Sequence, residues 1–185
     1  MPVEVTVPSD IQRIWDAQGD PVVKYPDPVL RRTARPVREP GPQTVELIER
    51  MSEAMTRANG IGLAAPQLGV SERVIIYRLP EENAAVHAIV NPRIVSRKGE
   101  QIGQEGCLSL PMLHGDVKRA HEIVVKGLDG GGRPIRRRAT EMEARVIQHE
   151  CDHLDGILFV DRADPDTLEW YLPAEEEERE PAPVA

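Results

Sequence analysis

The chain has 185 residues, a net charge of -8, 40% hydrophobic and 3% aromatic residues. That is enough for one domain with an aliphatic core, and too apolar for wholesale disorder. The acidic balance excludes a general nucleic-acid binder, which needs a basic footprint. No stretch approaches the roughly 18 apolar residues of a membrane span, and two cysteines, Cys107 and Cys151, make no disulfide framework. The opening MPVEVTVPSD lacks a basic region followed by an apolar run, so no signal peptide is expected and a reducing cytoplasm is the expected location.

Along the chain, Ser9 followed by Gln12 has the spacing of a capping box, which predicts a short helix over 10–17 with Ile11, Ile14 and Trp15 on one face. Residues 21–42, rich in Pro and charge, read as a meandering extended segment. Leu47, Ile48, Met51, Ala54, Met55 and Ala58 recur at helical spacing and predict a helix over 43–58, closed at Gly60. Strands are predicted at 73–79, 86–90, 93–97, 121–128 and 133–138, with Gly130-Gly131-Gly132 as the turn before the last. The run Arg136-Arg137-Arg138 reads as a solvated strand face. Thr140 to Glu143 is a second capping box, opening a helix that runs through His153 and ends near Gly156. A short strand at 157–160 and a short helix at 164–172 should follow.

From Pro173 the chain is Pro, Ala and Glu, and residues 175–180 read EEEERE, a net -4 that leaves -4 for the rest. Residues 1–172 are therefore expected to form a single catalytic domain and residues 173–185 an acidic disordered tail. Strands interleaved irregularly with a few helices, without βαβ regularity, predict an α+β fold with largely antiparallel sheets.

The chemistry concentrates in His149-Glu150-Cys151-Asp152-His153. Residues four apart on a helix share a face, so both imidazoles can reach one divalent ion. Glu150, one residue on from His149, flanks that ion, in the position of a general base acting on water activated by it. Ala144, Val146, Ile147 and Leu154 make the helix apolar, and two histidines and a glutamate buried there need partners. A catalytic site takes three protein ligands and leaves one position open. Cys107, Cys151, His87, His114, His121 and the acids are candidates for the third. Cys151 lies two residues from either histidine, about 200° round the helix, and faces away. Cys107, in Gln104-Glu-Gly-Cys-Leu-Ser-Leu-Pro111, stands in a fixed extended segment; it is the favoured third ligand, with a purely structural cysteine as the alternative.

Three segments together resemble the peptide deformylases: Gly60-Ile-Gly-Leu-Ala-Ala-Pro-Gln67, Glu105-Gly-Cys-Leu-Ser-Leu-Pro111 and Gln148-His-Glu-Cys-Asp-His-Leu-Asp-Gly156. Tyr25-Pro-Asp-Pro-Val-Leu-Arg31 fits as well, and the resemblance covers about residues 20–162. It implies a cytoplasmic hydrolase acting in protein biosynthesis, which removes the N-formyl group from the initiator methionine of nascent polypeptides. It also implies an α+β fold with the metal helix central among the sheets. Cys107, His149 and His153 become ligands of Fe2+, with Ni2+, Co2+ or Zn2+ able to substitute. Glu150 becomes the base, and the backbone N–H of Leu108 and the side chain of Gln67 the donors to the oxyanion. Gly62 keeps the first loop close to the metal so that Gln67 points inward, an ordinary turn glycine being the alternative. Ile61, Met142, Val146 and His149 line the methionine pocket, core packing being an alternative for Met142 and Val146.

The expected partners are N-formylmethionyl nascent peptides and a transient ribosome contact, with no specific nucleic acid, no membrane and a monomeric state. One segment departs from the family pattern: many bacterial members carry Gly, or further on Arg, where this chain has Met112-Leu113-His114-Gly115, a stretch expected to border the entry side. A zincin-like endopeptidase is the competing reading, but that class takes its third ligand downstream of the helix, where no histidine follows His153.

Overall fold

The structure, a computed structural model, describes residues 2–81 and 84–172. Among the described residues, eight strands form a five-stranded sheet in the order β1-β2-β3-β6-β7 and a three-stranded sheet in the order β4-β5-β8. The strands of the first are β1 (Gly62–Ala64), β2 (Val74–Tyr77), β3 (His87–Lys98), β6 (Glu122–Leu128) and β7 (Pro134–Thr140); those of the second are β4 (Gln101–Cys107), β5 (Leu110–Arg119) and β8 (Glu169–Trp170). Every strand pairing is antiparallel. The helices are α1 (Ser9–Gln18), α2 (Pro42–Arg57) and α3 (Glu141–Leu154). The expected α+β class with antiparallel sheets is the observed one.

The sequence of β2 shows how the layers form. Val-Ile-Ile-Tyr is a continuous apolar run, buried along its whole length. Alternation sends Val74 and Ile76 into the cluster formed with Leu47, Met51 and Met55 of α2, and Ile75 and Tyr77 into the cluster formed with Ala144, Val146, Ile147 and Leu154 of α3. At β2 the sheet is thus covered on both faces, and each fully buried Ile contributes about 1.5–3 kcal/mol. A third cluster lies under the small sheet, where Ile11 and Trp15 of α1 meet Leu110, Leu113 and Phe159. Trp15 packs against Trp170 of β8 with ring centroids 5.9 Å apart.

From Ala144 to Leu154 every residue of α3 is buried, because the helix is clamped between the two sheets. Ala144, Ile147, Cys151 and Leu154 face the large one. Arg145 and His149 reach Glu105 of β4, and Asp152 reaches Arg119 of β5.

Several local expectations are corrected. Ser9 lies inside α1, whose N-cap is Pro8, and makes no capping bond. The left-handed residue after α2 is Asn59 (φ 58°), not Gly60. Thr140 caps α3 without a side-chain hydrogen bond; its would-be partner Glu143 instead accepts from the Tyr77 hydroxyl and pairs with Arg137. The predicted strands at 86–90 and 93–97 are one strand, β3, and the β4–β5 hairpin is an addition to the predicted elements. Residues 157–160 form no strand: Phe159–Asp161 is a 3-10 turn. In place of a helix over 164–172 there is a 3-10 turn, Pro165–Thr167, followed by β8. Met112-Leu113-His114-Gly115 is the buried middle of β5, where Leu113 and His114 pair with Trp170 and Glu169. The expected tail, 173–185, lies outside the described residues. Among those described, no helix is long and apolar enough to cross a membrane.

Candidate metal centre

Helical spacing brings His149 and His153 onto one face, with ring centroids 5.0 Å apart. Cys107 ends β4, and the Leu108-Ser109 turn that leads into β5 holds it against the helix. Its sulfur is 3.2 Å from His153 Nε2. Among the described residues, Cys107, His149 and His153 form the one group of three able to hold a metal ion, all buried, with ligand atoms within 4.8 Å of one another. The third donor comes from upstream in the chain, against the zincin-like reading. Cys151 points away, into the cluster under the five-stranded sheet. His87 and His121 lie elsewhere, and His114 packs against Tyr171 on β5.

Burial dominates the electrostatics of the centre. Burial pushes the Cys107 thiol up to about 12, backbone N–H groups of Ser109 and Leu110 pull it down, and the nearby Glu150 charge adds to the rise. Burial likewise drives His153 well below the usual histidine range, so its ring is neutral. Glu150 is raised well above the usual carboxylate range by burial first and the Glu105 charge second. His149 Nε2, His153 Nδ1 and both Glu150 oxygens are buried without a hydrogen-bond partner in the protein. Unpaired buried polar atoms cost about 1–3 kcal/mol each, and a cation held by this group would remove that cost at His149 Nε2.

Gly62 allows a close approach to α3. A Cβ there would overlap the Glu150 carboxylate and lie 3.0 Å from Val146 Cγ1. The glycine clears space for the glutamate and so lets the first loop lie close against α3. Gln67 is aimed by its own bonds. Its Oε1 accepts from Ala64 N at 2.9 Å, and its Nε2 donates to Ser109 Oγ at 3.2 Å and reaches Cys107 Sγ at 3.6 Å. Ile61 and Met142 are partly buried and pack on the cluster that holds the buried Val146. Leu108 is buried at the β4–β5 turn.

Glu105 stands in the sequence only as part of a motif; the structure gives it a task. Its Oε2 accepts from His149 Nδ1 at 2.9 Å, which fixes the tautomer and leaves Nε2 with its lone pair free for a metal. Arg119 clasps Glu105 with two bonds of 2.9 Å, and Arg145 donates to it at 2.7 Å. Burial alone would raise this carboxyl; the bonds from Arg119 and His149 more than reverse that and hold it far below the usual carboxylate range. Arg119 continues to Asp152, which also pairs with Arg162. One signal was available: Arg145, His149 and His153 are spaced i, i+4, i+8, so a buried arginine on the histidine face called for a buried acid. Glu105→Gln is expected to weaken Zn2+ binding by the apo-protein about 10–100-fold, the usual loss for a partner behind a histidine ligand, as read by isothermal titration.

A His-Glu-x-x-His helix held between antiparallel sheets, with a cysteine sulfur brought to it from a neighbouring strand, is the architecture of a metallohydrolase. The comparisons narrow that class. The family model for polypeptide deformylase matches residues 20–169. A peptide deformylase of Halothermothrix orenii is 48% identical over 139 residues, 75% of this chain and 90% of that protein. One of Thermodesulfovibrio yellowstonii is 45% identical over 146 residues, 78% of this chain and 88% of that protein. The crystal structure of a Thermus thermophilus peptide deformylase superposes with a TM-score of 0.75 at 45% identity, covering 80% of this chain and 87% of that one. A Legionella pneumophila peptide deformylase gives 0.74 at 41%, covering 78% and 85%. The chain belongs to the polypeptide deformylase family. Helix α1 precedes the matched region.

Proposed function

We propose that this protein is a peptide deformylase that hydrolyses the formamide at the N-terminus of formylmethionyl nascent peptides, releasing formate and a free amine. The observation that carries the reading is the buried Cys107–His149–His153 group with an unpaired Glu150 carboxylate beside it. The donor set of one sulfur and two imidazoles suits a divalent transition ion. Fe2+ is the proposed native ion, with Ni2+, Co2+ or Zn2+ able to replace it.

When bound, the ion acidifies a water molecule and polarises the formyl carbonyl. Glu150 takes the proton of the attacking water at its carboxylate and passes it to the amine nitrogen as the C–N bond breaks. Gln67 Nε2 and the Leu108 N–H donate to the oxygen as it gains charge, each worth about 3 kcal/mol in comparable sites. Ser109, by bonding the Gln67 amide, keeps it aimed. Ile61, Met142 and Val146 receive the methionine side chain.

β1 and β4 are each the edge of their sheet, and Gly62 and Cys107 lie on them, so an extended peptide has unpaired backbone on either side to pair with. The enzyme works as a monomer in the cytoplasm and meets its substrate in a transient contact with the ribosome.

Activity should track ion content. Protein purified anaerobically with Fe2+ is expected to release formate from a formyl-Met peptide and to lose activity in air as the ferrous thiolate site oxidises. Activity independent of metal content would remove the reading. Gly62→Ala is expected to slow formate release about 10–100-fold, the equivalent of 1–3 kcal/mol of overpacking against Glu150, with metal content unchanged in the same samples.

A further inference from the structure

The run Arg136-Arg137-Arg138 divides on β7. Arg137 turns inward, its guanidinium 5.9 Å from the Tyr77 ring centroid and paired with Glu143. Arg136 and Arg138 turn outward. On that outer face, register lines Arg136 up with Lys126 of β6, and Lys126 with Arg93 of β3. The next row holds Arg138, Val124 and Ser96, and the next Thr140, Glu122 and Lys98. Arg93, Lys98, Lys126, Arg136 and Arg138 are all exposed. Glu122, the one acid in these three rows, pairs with Arg138. Among the described residues no carboxylate pairs with Arg93, Lys126 or Arg136.

Three like charges side by side on neighbouring strands repel one another, and the sheet gains nothing from placing them there. The chain as a whole is acidic, at -8, so this face is a local reversal of sign. Strands lie about 4.8 Å apart, so the row spans about 10 Å, with Arg138 about 7 Å further along its strand. That grid suits successive phosphates of a nucleic-acid strand. It carries no device for reading bases, and it is a local exception to the exclusion of a general nucleic-acid binder drawn from the overall acidic balance. The face is opposite the one that packs on α3 and remote in the sheet from β1, so an occupant would leave the metal centre open.

We infer that the outer face of β3, β6 and β7 docks the protein on the phosphate backbone of RNA through Arg93, Lys126 and Arg136, with Arg138 and Lys98 at its margin. The choice of RNA rests on the deformylase reading, because nascent peptides are presented on an RNA-rich particle; the charge pattern itself does not depend on it.

The test is binding of a fluorescein-labelled single-stranded RNA oligonucleotide to the metal-loaded full chain, followed by fluorescence anisotropy across a salt series. Three phosphate contacts predict a slope of log K against log salt near -2, so that affinity falls about 20-fold between about 50 and 200 mM salt. Arg93→Glu/Lys126→Glu/Arg136→Glu should lose the binding at every salt concentration while releasing formate at the wild-type rate. Arg13→Glu/Arg133→Glu, which reverses two exposed cations off this face, should bind as the wild type does. Gln at the same three positions carries the test if the Glu variant does not fold. RNA binding that survives in the triple variant, no binding by the wild type, or binding to phosphatidylserine vesicles in place of RNA would overturn the inference. RNA binding without formate release would instead overturn the deformylase reading and leave the surface standing.

Discussion

Glu150→Ala is expected to lower formate release by at least about 10²–10⁴-fold, the range a positioned acid–base group contributes, while leaving the metal content at wild-type level. Glu150 is fully buried, neither of its oxygens has a partner, and Gly62 is glycine because the carboxylate occupies the space a Cβ would need. A group kept unpaired at such expense has work to do that folding does not ask of it. Removing it should stabilise the apo-protein or leave it unchanged, since an orphaned buried carboxyl disappears. Kinetics, metal analysis and thermal melting on one preparation check all three parts. Near-normal turnover would show that the proton moves elsewhere.

The second large effect is expected at the cysteines. Cys107→Ser should cost more than about 100-fold in metal affinity, above the loss usual for a partner standing behind a ligand; Cys151→Ser should change it little. Both thiols are buried and both are raised to about 12 by burial, so acidity does not tell them apart. Geometry does: Cys107 Sγ is within 4.8 Å of both histidine donors, whereas Cys151 lies round the helix against the sheet. Equal metal loss in the two variants would show that the ligand assignment is wrong.

Much of the centre is legible in the chain because it depends on local geometry. The four-residue step from His149 to His153 on an apolar helix puts two imidazoles together whatever the rest of the fold does. The two-residue offset of Cys151 excludes it by the same geometry. What supports the centre is less visible. Glu105 meets His149 across 44 residues, Arg145 across 40 and Arg119 across 14, and no period in the sequence encodes those meetings. The β4–β5 hairpin escaped because Gly103, Gly106, Pro111 and Gly115 interrupt its alternation. Gly103 is small where the Arg145 guanidinium lies over it, 3.2 Å from where a Cβ would be, and Gly106 where His114 packs against it, 3.1 Å away.

The failed capping box at Thr140 shows a tertiary contact overriding a local motif. Glu143 has the spacing to cap α3, but Tyr77 and Arg137 hold it, and Glu141 enters the helix at φ 52°. The run Ile157–Val160 shows the limit of apolar pattern alone. Four residues are too few to separate a strand from a helical turn, and the structure makes the turn.

The central claim is the bond that is broken. The most direct measurement follows one peptide, formyl-Met at its N-terminus and several residues long, with the metal-loaded enzyme under anaerobic conditions. Formate is quantified alongside every peptide product. The expected result is one formate released for each free N-terminal methionine formed, with the chain otherwise intact. Cleavage of an internal peptide bond with no formate released would contradict it.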